Sequence, residues 1–139
     1  MGMRRRAREA SLQVLYQLDV QPDLPADEAL LRFHGNFTDE VAAADAEVRA
    51  YLERLVRGVT DNLADIDARI ARASRNWRIE RMGRVDRNLL RIAIYEMAFC
   101  EDVPDKVAIN EAIEIAKRFG GHETPAFING ILDRVLGEQ

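Results

Sequence analysis

The chain has 139 residues, of which 47% are hydrophobic and 32% are charged, and its net charge is −4. This length fits one ordinary domain or two small helical subdomains, and the composition is globular, which excludes a disordered chain. No apolar run is long enough to cross a bilayer, and the start of the chain lacks the apolar segment of a secretory signal. The single cysteine excludes an internal disulfide. We therefore expect a cytoplasmic protein.

Arginine is concentrated at the start of the first predicted helix, which covers about residues 4–19. Four of the five positions from 4 to 8 are arginine, namely Arg4, Arg5, Arg6 and Arg8. The helix also has an apolar stripe at helical spacing, formed by Ala7, Ser11, Val14, Leu15 and Leu18. An acidic protein that concentrates cations in this way is predicted to bind an anion, and a merely solvated helix end is the alternative.

Three further helices are predicted in the first half of the chain. After Pro22 and Pro25, they cover about residues 26–35, 39–61 and 63–75, and Thr38 is expected to cap the second of them. Helical spacing places the following residues in the core: Ala29, Leu30, Phe33, Ala44, Val48, Tyr51, Leu52, Leu55, Val59, Leu63, Ile66, Ile70 and Ala73.

The second half of the chain continues the helical pattern. A short connecting helix contains Trp77 and Met82 and closes at Gly83, and further helices are predicted over about 84–101, 106–119 and 125–136. The first of these is apolar around most of its circumference, which is typical of a central, buried helix. Gly120 and Gly121 indicate a helix end, and Thr124 is expected to cap the last helix. No segment alternates with a period of two, so the predicted fold class is all-α.

A second basic segment lies in the middle of this acidic chain. Residues 73–91 hold six arginines and two acids, a local charge of +4, whereas residues 21–72 and 92–139 are acidic. The planar guanidinium forms bidentate contacts with phosphate and stacks on bases. A GC-rich genome explains arginine in place of lysine, but it does not explain the clustering, which favours a nucleic-acid ligand.

Motifs of enzymes and metal sites are mostly absent. No glycine-rich phosphate loop occurs, His34 and His122 are far apart in sequence, and Cys100 is a single thiol, so neither a cofactor nor a metal is predicted. Glu96 lies among apolar positions of its helix. A catalytic carboxylate is one interpretation, but a core glutamate paired with an arginine or a helix end is favoured. We therefore expect function by binding rather than by catalysis.

Three blocks of the sequence resemble the NusB family of transcription antitermination factors. The first is RRRARE with LQVLY, over residues 4–16; the second is VDR, LLRIA and YE, over residues 85–96. The third comprises Val103-Pro104, KVAINEAIEIAK at 106–117 and FINGILD at 127–133. The third block is specific to the family, whereas the arginine-rich start alone would be weak evidence of membership. Residues 20–78 contain few residues that are characteristic of the family.

The resemblance implies a NusB-like fold of about seven helices, with two three-helix subdomains and a connecting helix. The whole chain, residues 1–139, would form one RNA-binding domain, with subdomains of about 1–76 and 77–139. The family binds boxA RNA of nascent ribosomal-RNA transcripts together with NusE, a small-subunit ribosomal protein, in an antitermination complex on RNA polymerase. Family members differ in whether the free protein is a monomer or a homodimer.

The resemblance also implies individual roles. The positions that match RNA-binding residues of the family are Arg4, Arg5, Arg6, Arg8, Phe127 and Asn129, and those that match the NusE-facing surface are Tyr16 and Asp86. Packing roles are the alternatives for Phe127, Asn129 and Tyr16. Two other functions stay open: the RNA-binding module of a ribosomal-RNA cytosine methyltransferase, and a helical adaptor that contacts only protein.

Overall fold

The computed structural model describes residues 2–36, 45–75 and 77–139. These ranges contain seven α-helices: α1 (Met3–Val20), α2 (Ala26–Asn36), α3 (Ala46–Asp61), α4 (Leu63–Ser74), α5 (Arg84–Phe99), α6 (Asp105–Phe119) and α7 (Thr124–Gly137). A single 3₁₀ turn, Ile79–Arg81, precedes α5. The described ranges contain no strand, and the all-α prediction is confirmed. Their helices all lack the combination of length and apolar character that a membrane span requires.

The chain divides into two compact units, Met1–Asp61 and Asn62–Gln139. Helices α1 to α3 belong to the first unit, and α4 to α7 belong to the second. The division falls before α4, earlier than the boundary near residue 76 expected from the sequence, because α4 packs against α5 and α7. The expected connecting helix is only the 3₁₀ turn, and Trp77 lies before it rather than within it.

In the first unit, α1 packs against both α2 and α3. The core of this unit includes the buried apolar residues Ala7, Ala10, Leu12, Val14, Leu15, Ala29, Leu30, Val48, Leu52, Leu55, Val56 and Val59. Asp45 caps α3, since its Oδ1 accepts hydrogen bonds from the backbone N–H groups of Glu47 (2.9 Å) and Val48 (3.2 Å). The helix therefore begins at Ala46 rather than near residue 39, and the predicted cap Thr38 lies outside the described residues.

In the second unit, α5 is the central helix, because it packs against α4, α6 and α7. Its buried residues include Leu89, Leu90, Ile92 and Ile94, and they pack in a core with Ile66, Ile70, Ile115, Ile128 and Leu132. Glu96 is fully buried on this helix, where a substrate in solution does not reach it. Leu63, which was predicted to face inward, is partly exposed at the first position of α4, and Phe119 is partly exposed at the last position of α6.

Two arginines of the second basic segment stabilise this unit. Nε and Nη2 of Arg91 donate to the two carboxylate oxygens of Asp67, each at 2.9 Å, and Nη1 donates to Oδ1 of Asn88 at 3.1 Å. Nη1 of Arg87 donates to the carbonyl oxygen of Ile79 at 3.2 Å, which connects the 3₁₀ turn to α5. The sequence pattern favoured a nucleic-acid ligand for the arginines of this segment, but two of them form contacts that stabilise the fold.

Candidate functional site

The arginines at the start of α1 differ strongly in exposure. Arg4 is exposed, Arg5 and Arg6 are half-buried, and Arg8 is only 4% exposed. Gly2 provides no capping side chain, and the first turn contains no acidic residue. Because the start of a helix carries partial positive charge, cations there oppose the helix dipole. An anionic ligand relieves this repulsion and accepts hydrogen bonds from the first N–H groups of the helix.

Tyr51 of α3 organises these arginines. The guanidinium carbons of Arg4, Arg54 and Arg8 lie 4.5, 5.5 and 5.7 Å from the centre of its ring. Tyr51 is 7% exposed, so its ring is held in the core, and each cation–π contact restrains a guanidinium. We call these four residues the Tyr51 cluster. Tyr51 belongs to the predicted core stripe, and Arg54 is not among the predicted site residues, because chain order does not reveal that α1 and α3 are neighbours.

The Tyr51 cluster borders an open groove within the first unit. The residues that line it are Met3, Arg4, Glu47, Ala50, Tyr51 and Arg54. Arg4 and Arg54 therefore face a surface that a ligand can reach. The burial of Arg8 leaves little of its guanidinium for direct contact, and its place beside Tyr51 is typical of a residue that positions its neighbours.

A second groove lies between the starts of α5 and α7, in the second unit. The residues that line it are Trp77, Arg81, Met82, Gly83, Asp86, Gly121, His122, Glu123, Thr124 and Phe127. We call it the α5–α7 groove. It brings together Asp86 and Phe127, which the resemblance assigns to a protein partner and to RNA respectively.

Thr124 holds one wall of the α5–α7 groove together. Its Oγ1 donates to Oδ1 of Asp86 at 2.9 Å and accepts from the N–H of Gly121 at 3.1 Å. The predicted cap role of Thr124 is therefore wrong, since α7 begins at Thr124 itself, after Glu123. Gly120 permits this arrangement, because a Cβ atom there would lie 2.7 Å from the Cβ of Thr124.

Two aromatic side chains meet in the α5–α7 groove. The ring centres of Trp77 and Phe127 are 6.3 Å apart, and their planes are inclined by 66°. Phe127 is half-buried, so it lines the groove rather than the core of the unit. Trp77 is 54% exposed. Trp77 is not among the site residues predicted from the sequence, although a lone tryptophan within a basic segment is a usable signal.

The remaining predicted site residues lie elsewhere on their helices. Asn129 is exposed but does not line the α5–α7 groove, because residues two apart on a helix do not face each other. Tyr16 is 42% exposed on α1, where Gln13 and Val20 are also exposed. Within the described part of the chain, no group of three or more His, Cys, Asp or Glu residues could hold a metal ion.

Comparison with known proteins identifies relatives along almost the whole chain. A family model described as the NusB family matches residues 5–137. The transcription antitermination protein NusB of Desulforapulum autotrophicum is 48% identical over 135 residues, which cover 97% of this chain and 92% of that protein.

Solved structures with the same fold are also found. The chain is similar to T. maritima NusB, with a TM-score of 0.87 and 40% identity, over 98% of this chain and 92% of that chain. It is also similar to a chain in a crystal structure of the antitermination factors NusB and NusE in complex with dsRNA. That likeness has a TM-score of 0.81 at 22% identity and covers 100% of this chain and 99% of the other. At this level of identity it shows that the two chains share a fold and nothing more.

Proposed function

This chain belongs to the NusB family of transcription antitermination proteins, and from that premise we propose that it binds boxA RNA of nascent ribosomal-RNA transcripts together with NusE. In this proposal the protein is a binding factor in an antitermination complex on RNA polymerase, not an enzyme. Since bacterial transcription takes place in the cytoplasm, that location is part of the proposal.

The observation that carries the RNA part of the proposal is the arginine-rich start of α1. Arg4, Arg5 and Arg6 stand at a helix end with no acidic residue in its first turn, and Tyr51 restrains Arg4. Single-stranded RNA offers phosphates to such guanidinium groups, and ordering them in advance lowers the entropy lost on binding. Arg8 acts in this proposal by positioning the Tyr51 cluster.

The NusE part of the proposal assigns Tyr16 and Asp86 to the partner. Tyr16 exposes an aromatic ring with a hydroxyl group, a side chain that is enriched at protein interfaces. Asp86 is half-buried and already accepts a hydrogen bond from Thr124, which fixes its carboxylate in place. Support for NusE as the partner comes from family membership, and these two residues are the positions to test.

The test of the function is a titration of fluorescently labelled RNA followed by anisotropy. A single-stranded RNA with a boxA element and a scrambled RNA of equal length are each titrated with the protein, with and without NusE. We expect tighter binding of the boxA RNA and a further gain with NusE. Absence of binding to either RNA, with and without NusE, would favour the adaptor that contacts only protein, and equal affinity for both RNAs would contradict boxA specificity.

A charge-matched pair of variants locates the RNA site. In the first variant Arg4, Arg5 and Arg6 are replaced by alanine; in the control, the exposed residues Arg32, Arg49 and Arg57 of the same unit are replaced. Each single-stranded phosphate contact adds about 0.7 to the slope of log affinity against log salt. We therefore expect the first variant to lose roughly 2 units of slope and more than about 100-fold in affinity at low salt. A loss of equal size in the control would mean that net charge alone determines binding.

The methyltransferase alternative is less well supported by the name and length of a relative. The chain spans 92% of the length of the D. autotrophicum protein, whose name is that of an antitermination factor rather than a methyltransferase. The mass of the protein purified from its native source separates the two functions, because a methyltransferase would carry a large catalytic domain in the same chain.

A further inference from the structure

Trp77 is a large apolar side chain that the fold leaves 54% exposed, at the rim of the α5–α7 groove. We infer that its indole ring is the platform on which one unpaired nucleobase of the bound RNA stacks, with Phe127 holding the indole in place. This inference rests on the proposed function and adds to it a specific contact and a second surface. Trp77 is also the only tryptophan of the chain, so it reports its own contacts by fluorescence.

The backbone N–H and carbonyl groups of Trp77 are both hydrogen-bonded, although its side chain is exposed. The N–H of Trp77 donates to the carbonyl oxygen of Ser74 at 3.1 Å, and Oγ of Ser74 donates to the carbonyl oxygen of Trp77 at 2.8 Å. Ser74 is 7% exposed and therefore belongs to the body of the unit. On the other side of Trp77, Arg87 holds the 3₁₀ turn through the carbonyl of Ile79. The indole is presented from a residue whose backbone is held on both its donor and its acceptor side, which lowers the entropy lost when a ligand binds it.

The geometry of the aromatic pair favours one stacked base. With the ring planes 66° apart, a flat base lies parallel to only one of the two rings. Trp77 is the ring that a base can reach, because its side chain is 54% exposed whereas Phe127 is half-buried on α7. An exposed indole in contact with a second aromatic ring matches the aromatic platforms that bind single-stranded nucleic acids.

The charges around the α5–α7 groove favour a base inside it and a polyanion along it. The carboxylates of Asp86 and Glu123 line the groove and disfavour a phosphate there. Arg81 also lines the groove, and the exposed Arg78 and Arg84 directly follow two lining residues in sequence, Trp77 and Gly83. RNA provides both parts, a neutral base to stack and a charged backbone for the arginines.

The experiment measures tryptophan fluorescence while the complex of full-length protein and NusE is titrated with unlabelled boxA RNA. Stacking on a base quenches an indole, so we expect the emission of Trp77 to fall with the same midpoint as the anisotropy titration. The complex with Trp77→Phe supplies the baseline, because any signal that remains comes from NusE. A wild-type emission that follows this baseline while RNA binds would overturn the inference.

Two substitutions separate stacking from apolar contact. Trp77→Leu keeps an apolar side chain but removes the aromatic face, and we expect about tenfold weaker RNA binding. Trp77→Phe keeps a face, and we expect affinity within about threefold of the wild type. Phe119→Leu is the control, since Phe119 is a partly exposed aromatic of the same unit that does not line the groove. Equal affinity of the wild type and Trp77→Leu would contradict the inference.

Single abasic positions in the RNA identify the stacked base. Removal of that base should weaken binding to the wild type about tenfold and leave binding to Trp77→Leu unchanged, because the two changes delete the same contact. If Trp77→Leu weakens NusE binding without RNA and no abasic position shows this coupling, the indole binds protein, and the inference fails. If RNA binding depends on Arg4, Arg5 and Arg6 but not on Trp77, the proposed function stands without it. If boxA RNA does not bind even with NusE, both fail.

Discussion

The two arginine-rich segments of this protein look alike in sequence and differ in structure. At the start of α1, Arg4 is exposed, Arg5 and Arg6 are half-buried, and the buried Arg8 lies with Arg4 beside the ring of Tyr51. In residues 73–91, by contrast, Arg91 binds Asp67 and Arg87 binds the backbone of the 3₁₀ turn. The second segment differs from the first in a further way, because it borders the α5–α7 groove with its aromatic residues Trp77 and Phe127.

This difference shows that clustered charge in a sequence has two physical origins. A guanidinium can cross between helices and satisfy a carboxylate or a backbone carbonyl, in which case it stabilises the fold. It can also lie exposed or half-buried at the start of a helix, where an anionic ligand can reach both the guanidinium and the first N–H groups. Burial and hydrogen-bond partners separate these cases, and neither is visible in the local composition.

The largest expected effect concerns the structural arginine of the second segment. Arg91→Ala should lower the free energy of unfolding by about 3 kcal/mol, because it leaves the partly buried carboxylate of Asp67 without its bidentate partner. Urea denaturation measures this loss. Arg84→Ala, an exposed position on the same helix, should change stability by less than about 0.5 kcal/mol. Similar losses in both variants would remove the distinction between structural and surface arginines.

The next effect tests the buried arginine of the first segment. Arg8→Ala should cost about 2 kcal/mol of unfolding free energy, since a 4% exposed side chain loses both its packing and its contact with Tyr51. Arg4→Ala should cost less than about 0.5 kcal/mol but weaken RNA binding. Thermal denaturation and RNA anisotropy on the two variants give the comparison. A reversal, with Arg4 important for stability and Arg8 only for RNA, would refute the assigned division of roles.

A third prediction separates partner contact from groove structure at Asp86. Asp86→Asn keeps an oxygen that accepts the hydrogen bond of Thr124 but removes the charge, and we expect NusE affinity to fall about tenfold. Thr124→Val removes the same hydrogen bond and leaves the carboxylate, and we expect NusE affinity within about twofold of the wild type. Calorimetry with NusE measures both. If Thr124→Val is the weaker binder, the groove wall rather than the charge of Asp86 matters to the partner.

The smallest expected effect concerns the ring that organises the first segment. Tyr51→Leu should weaken RNA binding about fivefold, because Arg4 and Arg54 lose their cation–π contacts and become less ordered. Tyr51→Phe keeps the ring and should bind RNA like the wild type. Anisotropy titrations at two salt concentrations are sufficient. An equal loss in both variants would show that the hydroxyl, not the ring, is the important group.

Most of the fold followed from helical periodicity and end signals. The predicted helices agree with α1, α2 and α4 to α7 within one or two residues at nearly every end, because apolar stripes, prolines and glycines act locally. The start of α3 differed because Asp45, rather than Thr38, is the cap that the described residues show. The extent of the connecting helix also differed, since a single 3₁₀ turn suffices between α4 and α5.

The sites were predicted less completely than the helices. Family blocks pointed to Arg4, Arg5 and Phe127, but Tyr51 and Trp77 gained their roles only from neighbours that are distant in sequence. Asn129 shares a motif with Phe127, yet it does not line the groove, because helical geometry separates residues two apart.

The all-α class, the positions of most helices and the family could be predicted from the sequence, since these depend on local patterns and on blocks of residues in chain order. The exposure of each arginine and the aromatic rings beside it became clear from the packing of the helices. The physical reason is that exposure, ion pairing and ring contacts are set between helices, by the packing of α1 on α3 in one unit and of α5 on α7 in the other.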